Sequence, residues 1–226
     1  MSNTKSTLVQ IIVLFFPWKI RRTLLRLTLG FEIAPTAHIG KSIVNAKRLM
    51  MGEKAKIGHL TYVKGLERLE LSENSTIGNL NWITGFPLNS TSEFFKNSFG
   101  RHPSLHLAAH AAITNRHLID CTDSVQIGEF ATFAGFRSQI LTHSINIFSG
   151  KQECHPVQIG TYSFVGTGTI ILPGSILPPY SILGAGAVLA SKFEEPCALY
   201  GGVPAKLVKH LPPDAAYFLR TQGRVV

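Results

Sequence analysis

From Ile33 onward, apolar residues recur along the chain at every sixth position. Ile33, Ile39, Met51, Ile57, Val63 and Leu69 share one register, interrupted only at Asn45. The count slips by two, resumes at Leu71, Ile77 and Ile83, and returns at Leu107, Ile113, Ile119 and Val125. It slips by two again and continues at Ile127 and Phe133, and a later stretch, Ile159, Val165, Ile171, Leu177, Leu183 and Leu189, is unbroken. Small residues such as Ala37, Ala55, Ser75, Ala131, Ser163 and Ser181 stand four places after many of these positions. A period of six is neither the 3.6 of an amphipathic helix nor the 2 of a half-buried strand. It predicts short flat strands wound into a three-sided column, with Ile39 to Ile57, eighteen residues, making one coil. The aliphatic side chains point into the prism and the small ones sit near its corners. Each coil then buries its apolar residues against the coils above and below.

Two stretches lose the register. Residues 86–104 and 144–156 read as excursions from the column, and the pattern ends after Ala190. The segments 203–210 and 213–220 are predicted as short helices, so the chain divides into 1–30, a column over 31–200, and a helical tail over 201–226. Before the column, Leu8 to Phe16 is apolar except for Gln10, and Pro17-Trp18 follows. That run is too short to span a bilayer, which needs about 20 residues. Its cations come after the apolar stretch, unlike those of a secretory signal. Ile20, Leu24 and Leu27 recur at helical spacing beside Arg21, Arg22 and Arg26, and no acid precedes Glu32. Residues 8–29 therefore predict an amphipathic helix with two open roles. It either lies on an anionic membrane face or packs its leucines on the column and leaves its cations in water.

Composition narrows the partners. Apolar residues at 45% and charged residues at 15% exclude wholesale disorder. A net charge of +9 favours an anionic partner. The cations gather at the two ends with no aromatic-and-basic stripe between them, which argues against nucleic acid. Three cysteines without a CxxC pair predict neither a disulfide scaffold nor a thiolate zinc site, and fit a reducing cytoplasm. His106 and His110 are four apart, but on hexads rather than a helix, so they do not share a face as zinc ligands would.

The hexads, together with Tyr200-Gly201-Gly202-Val203-Pro204-Ala205-Lys206, resemble the bacterial hexapeptide-repeat acyltransferases. The likeness is greatest to the O-acetyltransferases of the maltose, galactoside, nodulation and exopolysaccharide group. It covers about Ile33 to His210 and is most specific over 127–143 and 159–206. It implies a left-handed parallel β-helix, a homotrimer with acetyl-CoA bound between subunits, and no metal. The implied reaction is acetyl transfer to a sugar hydroxyl, on a lipid-linked or nucleotide-linked sugar acceptor in surface or exopolysaccharide biosynthesis. The implied place is the cytoplasm, at the inner membrane face. A xenobiotic alcohol acetyltransferase, a zinc carbonic anhydrase-like enzyme collecting histidines such as His117 and His143, and a non-catalytic scaffold are the alternatives.

His143 lies where the regular coil breaks into the second excursion, the place of the family's catalytic histidine. A hydroxyl is a poor nucleophile, and an imidazole near neutral pKa can take its proton. A histidine there can also merely cap a turn. Glu153 matches an acidic loop position and would orient His143, bind the acceptor, or stand as a solvated charge. Asn115 lies near the family's acceptor-site asparagine, with Arg116 and His117 beside it as substitutes. Gly184-Ala185 matches the coil that runs beside the pantetheine arm, and Thr167-Gly168 the coil before it. Lys206 and Lys209 match positions that meet the nucleotide phosphates, or are solvated tail charges.

Overall fold

The computed structural model describes residues 3–90, 93–95, 100–223 and 225. Residues 91, 92 and 96–99 of the expected 86–104 excursion lie outside the described residues, as do 1, 2, 224 and 226 of the terminal segments.

Three inward columns of apolar side chains account for the six-residue period. On the first face Ile39, Ile57, Ile77, Ile113, Phe133, Val165, Leu183 and Tyr200 stand in parallel register. On the second, Val44, Val63, Ile83, Ile119, Ile140, Ile171 and Leu189 do the same. On the third the column is Ile33, Met51, Leu71, Leu107, Ile127, Ile159 and Leu177. All are buried. Each such side chain contributes about 1.5–3 kcal/mol by leaving water. The coils form a left-handed parallel β-helix.

The two-residue slips have a structural cause. The third face is longer and carries a second inward column, Leu49, Leu69, Leu105, Val125 and Val157, two residues ahead of the first. The break at Asn45 is a bulge between Asn45 and Ala46, where the strand Ile43–Met51 bends around a corner.

The amino-terminal segment is two helices, α1 (Asn3–Val13) and α2 (Trp18–Leu29), rather than one. The strands of the first coil pair only with the coil above, so their free edges need other partners. Arg21, expected beside the other cations, is 5% exposed and donates to the carbonyls of Ile39, Gly40 and Ser42. Arg22 donates to Ile33 O, Trp18 Nε1 to Ala37 O, and Gln10 bonds both the N–H and C=O of Val44. The helical hairpin is the end cap of the column.

The tail corrects a second expectation. Residues Lys206–His210 form a strand, not a helix, antiparallel to Ala198–Gly201. The last coil presents a free edge there, and Lys206–His210 pairs with it instead of coiling. Within the expected helix at 213–220, only Ala216–Leu219 makes a short 3₁₀ turn.

Candidate active site

Both excursions leave the column at the same corner, where the second face passes to the third. The first departs after Thr84 and re-enters at Ser104; the second departs at His143 and re-enters at Val157. Between them lies one coil that turns this corner tightly through Asp120-Cys121-Thr122-Asp123. Thr84 is in register with Asp120, so the three coils stack directly.

Asp120 follows an inward isoleucine, faces out of the prism, and is covered by the coil above until only 5% is exposed. Its Oδ2 lies 2.7 Å from His143 Nδ1 and accepts from the N–H and hydroxyl of Thr142, each at 2.8 Å. Its Oδ1 accepts from the Thr122 hydroxyl at 2.6 Å and the Thr122 N–H at 3.1 Å. Burial alone would raise the carboxyl pKa. The bonds from His143, Thr122 and Thr142, with the charge of His143, outweigh it and hold the acid below its ordinary value. The bond to Asp120 raises the His143 pKa against the opposing effect of its half-burial. A carboxylate at Nδ1 fixes the tautomer and leaves the lone pair on Nε2.

The first excursion reaches this dyad. Phe95 meets the His143 ring edge-to-face with centroids 5.6 Å apart, and Phe86 packs on Phe95. Buried Arg101 pins both rings: its guanidinium lies 5.2 Å from the Phe95 centroid and donates to Phe86 O and Pro87 O. His102 N–H and Ser124 N–H bond Asp123, tying the excursion to the tight corner.

Glu153 lies on the second excursion, a hairpin of His143–Asn146 and Lys151–Cys154. It pairs across from Ser144 and accepts from Asn146 Nδ2 at 2.6 Å, so the carboxylate bonded to His143 is Asp120. Sequence reasoning missed Asp120. The signal was present: an acid directly after a register isoleucine, one coil below Ile140, at the corner His143 leaves.

The remaining candidates stand at the other end of the second face. Asn115 Oδ1 accepts from Asn79 N–H, one rung of a corner ladder in which Asn79 serves His59 in the same way. Arg116 is exposed beside it. His117 is 2% exposed and occupies the inward corner column of Thr61, Asn81, Ser138 and Thr169. It bonds Thr114 Oγ1 and accepts from Ser138 N–H, and its burial removes it from any acceptor surface. Burial pushes its pKa down to about 4, against weaker upward pulls from the backbone at Ser138 and Gly135.

Higher on this corner Thr167, Gly168, Ala185 and Gly186 are exposed, one coil above the other. Gly168 and Gly186 have positive φ, and a Cβ on either would meet nothing within 4 Å. The lane they form is smooth enough for a thin flexible chain to lie along it. Gly184 packs closer, 3.4 Å from Tyr200 O at its Cβ position. The lane continues to Gly202, whose carbonyl accepts from Val188 N–H, and exposed Lys206 and Lys209 follow on the last strand. The structure thus gathers the proposed cofactor residues on one corner and His143 on another. The second face between them is four extended residues wide, roughly 13 Å. Among the described residues no group of three His, Cys, Asp or Glu converges to hold a metal.

Neither a family model nor a curated protein sequence matches the chain. Solved structures match it by fold. The polysialic acid O-acetyltransferase OatWY superposes with a TM-score of 0.60 at 20% identity, over 80% of this chain and 84% of its own. AntD, an N-acyltransferase from Bacillus cereus in complex with dTDP and 3-hydroxybutyryl-CoA, gives 0.52 at 13% identity, over 85% and 89%. A mutant of AntD in complex with dTDP-4-amino-4,6-dideoxyglucose and coenzyme A gives 0.50 at 14%, over 68% and 84%. The chain shares with these acyltransferases one fold, the left-handed parallel β-helix built from hexapeptide repeats.

Proposed function

We propose that the protein is an O-acetyltransferase that moves an acetyl group from acetyl-CoA to a sugar hydroxyl. The observation that carries this reading is the His143–Asp120 pair, a half-exposed imidazole held by a buried carboxylate at the corner where both excursions meet. His143 Nε2 accepts the acceptor's proton as the hydroxyl oxygen attacks the thioester carbonyl. Asp120 stabilises the imidazolium that results, and the carbon–sulfur bond breaks as the tetrahedral adduct collapses. Nε2 then returns its proton to the departing thiolate, leaving an ester and free CoA. No covalent enzyme intermediate is formed, and general-base assistance of this kind is worth about 10²–10⁴ in rate.

The open lane at Gly168 and Gly186 fits a pantetheine arm, and Lys206 and Lys209 at its end fit phosphates. Lane and base stand on different corners of one chain, so the site closes where the lane of one copy meets His143 of another. This supports a homotrimer. The face between the corners favours it too, since Trp82 (54% exposed) and Leu118 (43%) are apolar and uncovered there, with Leu60, Leu80 and Phe136 along the corner. We place the reaction in exopolysaccharide biosynthesis at the inner membrane face. The test is an acceptor screen with acetyl-CoA, read as release of free thiol, on a protein whose mass by light scattering is three chains. Turnover on a sugar should fall by about 10²–10⁴ in His143→Ala with folding intact. Unchanged turnover in that variant, or none with any sugar, sinks the reading.

A further inference from the structure

The end cap wears its apolar side outward. On α1 the inward stripe is Ser6, Val9, Gln10 and Val13, with Gln10 bonded to Val44 and Asn45. The opposite stripe, Leu8, Ile11 and Ile12, is exposed, and Phe15 in the turn just after the helix continues its i, i+3, i+4, i+7 spacing at 88% exposure. Phe16 at the turn and Ile20 and Leu27 on α2 are exposed as well. A helix covering a free strand edge in water would place these residues the other way round. The charge around them is mainly positive: Lys19 and Arg26 are exposed on α2, residues 1–31 contain no acid, and exposed Glu32 lines the same surface hollow as Arg26.

We propose that this cap is a docking surface for an anionic lipid bilayer, on which the β-helix stands on its end. The apolar stripe of α1 enters the interface while Lys19 and Arg26 meet the headgroups, the two-part signal that stable peripheral binding requires. Among the described residues no helix is long and apolar enough to cross the membrane, so the contact is interfacial. The orientation fixes the height of the site. The strand of His143's coil is the fourth step from Ile43–Met51 on the second face. At about 4.8 Å a step that is about 19 Å, and the helical layer adds about 10 Å. The inference deepens the acetyltransferase reading by naming where its acceptor lies. His143 reaches a sugar about 30 Å from the bilayer, within a lipid-tethered oligosaccharide rather than on the first sugar of its anchor.

The experiment is co-sedimentation of the full chain, without acetyl-CoA, with phosphatidylglycerol–phosphatidylethanolamine vesicles and with phosphatidylcholine vesicles. The expected result is binding to the first, at least about tenfold weaker binding to the second, and loss of the difference in high salt. Ile12→Glu with Phe15→Glu should remove binding about tenfold or more with Tm unchanged. Phe15→Ser alone should weaken it in the same direction. Three results overturn the proposal: no binding by the intact protein, equal binding by the double variant, or a drop in oligomer mass in that variant without lipid, which would make a second copy the occupant. Because no turnover is read, failure of the acetyltransferase assignment would leave this result standing, and the reverse.

Discussion

Asp120 and His117 are both buried polar side chains, and burial has opposite outcomes for them. Asp120 gains five hydrogen bonds from His143, Thr122 and Thr142 and stays ionised. His117 is met by the Thr114 hydroxyl and the backbone at Ser138 and Gly135, with no charged partner among its bonds, and it stays neutral. The linkage has a definite sign. With a folded pKa of about 4 against 6.5, His117 leaves stability whole above about pH 6.5. It removes about 3 kcal/mol as the pH falls toward 4. His117→Thr restores the residue found in the same column at Thr61 and Thr169. Thermal unfolding from pH 7 to pH 4 should therefore be flatter in that variant than in the wild type, and parallel curves would refute the role.

At the scale of elements, the amino-terminal hairpin shows what a periodic sequence does and does not reveal. Its helicity was legible in the spacing of Ile20, Leu24 and Leu27. The direction each side chain faces was not, because the cue of cations outward and leucines inward fails where a strand edge needs donors. Arg21 serves three carbonyls. Arg21→Met leaves them without it and should cost about 2–4 kcal/mol, lowering Tm by about 5–10 °C. A Tm within a degree of wild type would mean that water replaces the guanidinium without loss. The hexads, by contrast, dictated the column nearly residue by residue, since a side chain at the wrong phase would leave the core. Residues 206–210 were misread because strand addition at a free edge is a tertiary event that carries no period of its own.

For the whole molecule, the question is how a column of repeated coils makes one site that is not repeated. The two excursions emerge at a single corner on either side of a tight turn, and there an acid, an imidazole and an aromatic wall are brought together. His143 was legible because the register stops at it. Asp120 was not, because its partner lies 23 residues away and only the stacking of coils joins them. The pH dependence of kcat/KM for acetyl transfer, in the wild type and in Asp120→Asn, tests this account most directly. The bond to Asp120 favours the imidazolium, so wild-type activity should fall on the acid side with a midpoint above the ordinary histidine value. Asp120→Asn should move that midpoint to lower pH and cut the plateau rate by about 10–10². An identical midpoint in both proteins, or an unchanged plateau, would contradict the claim that Asp120 holds His143 as the base.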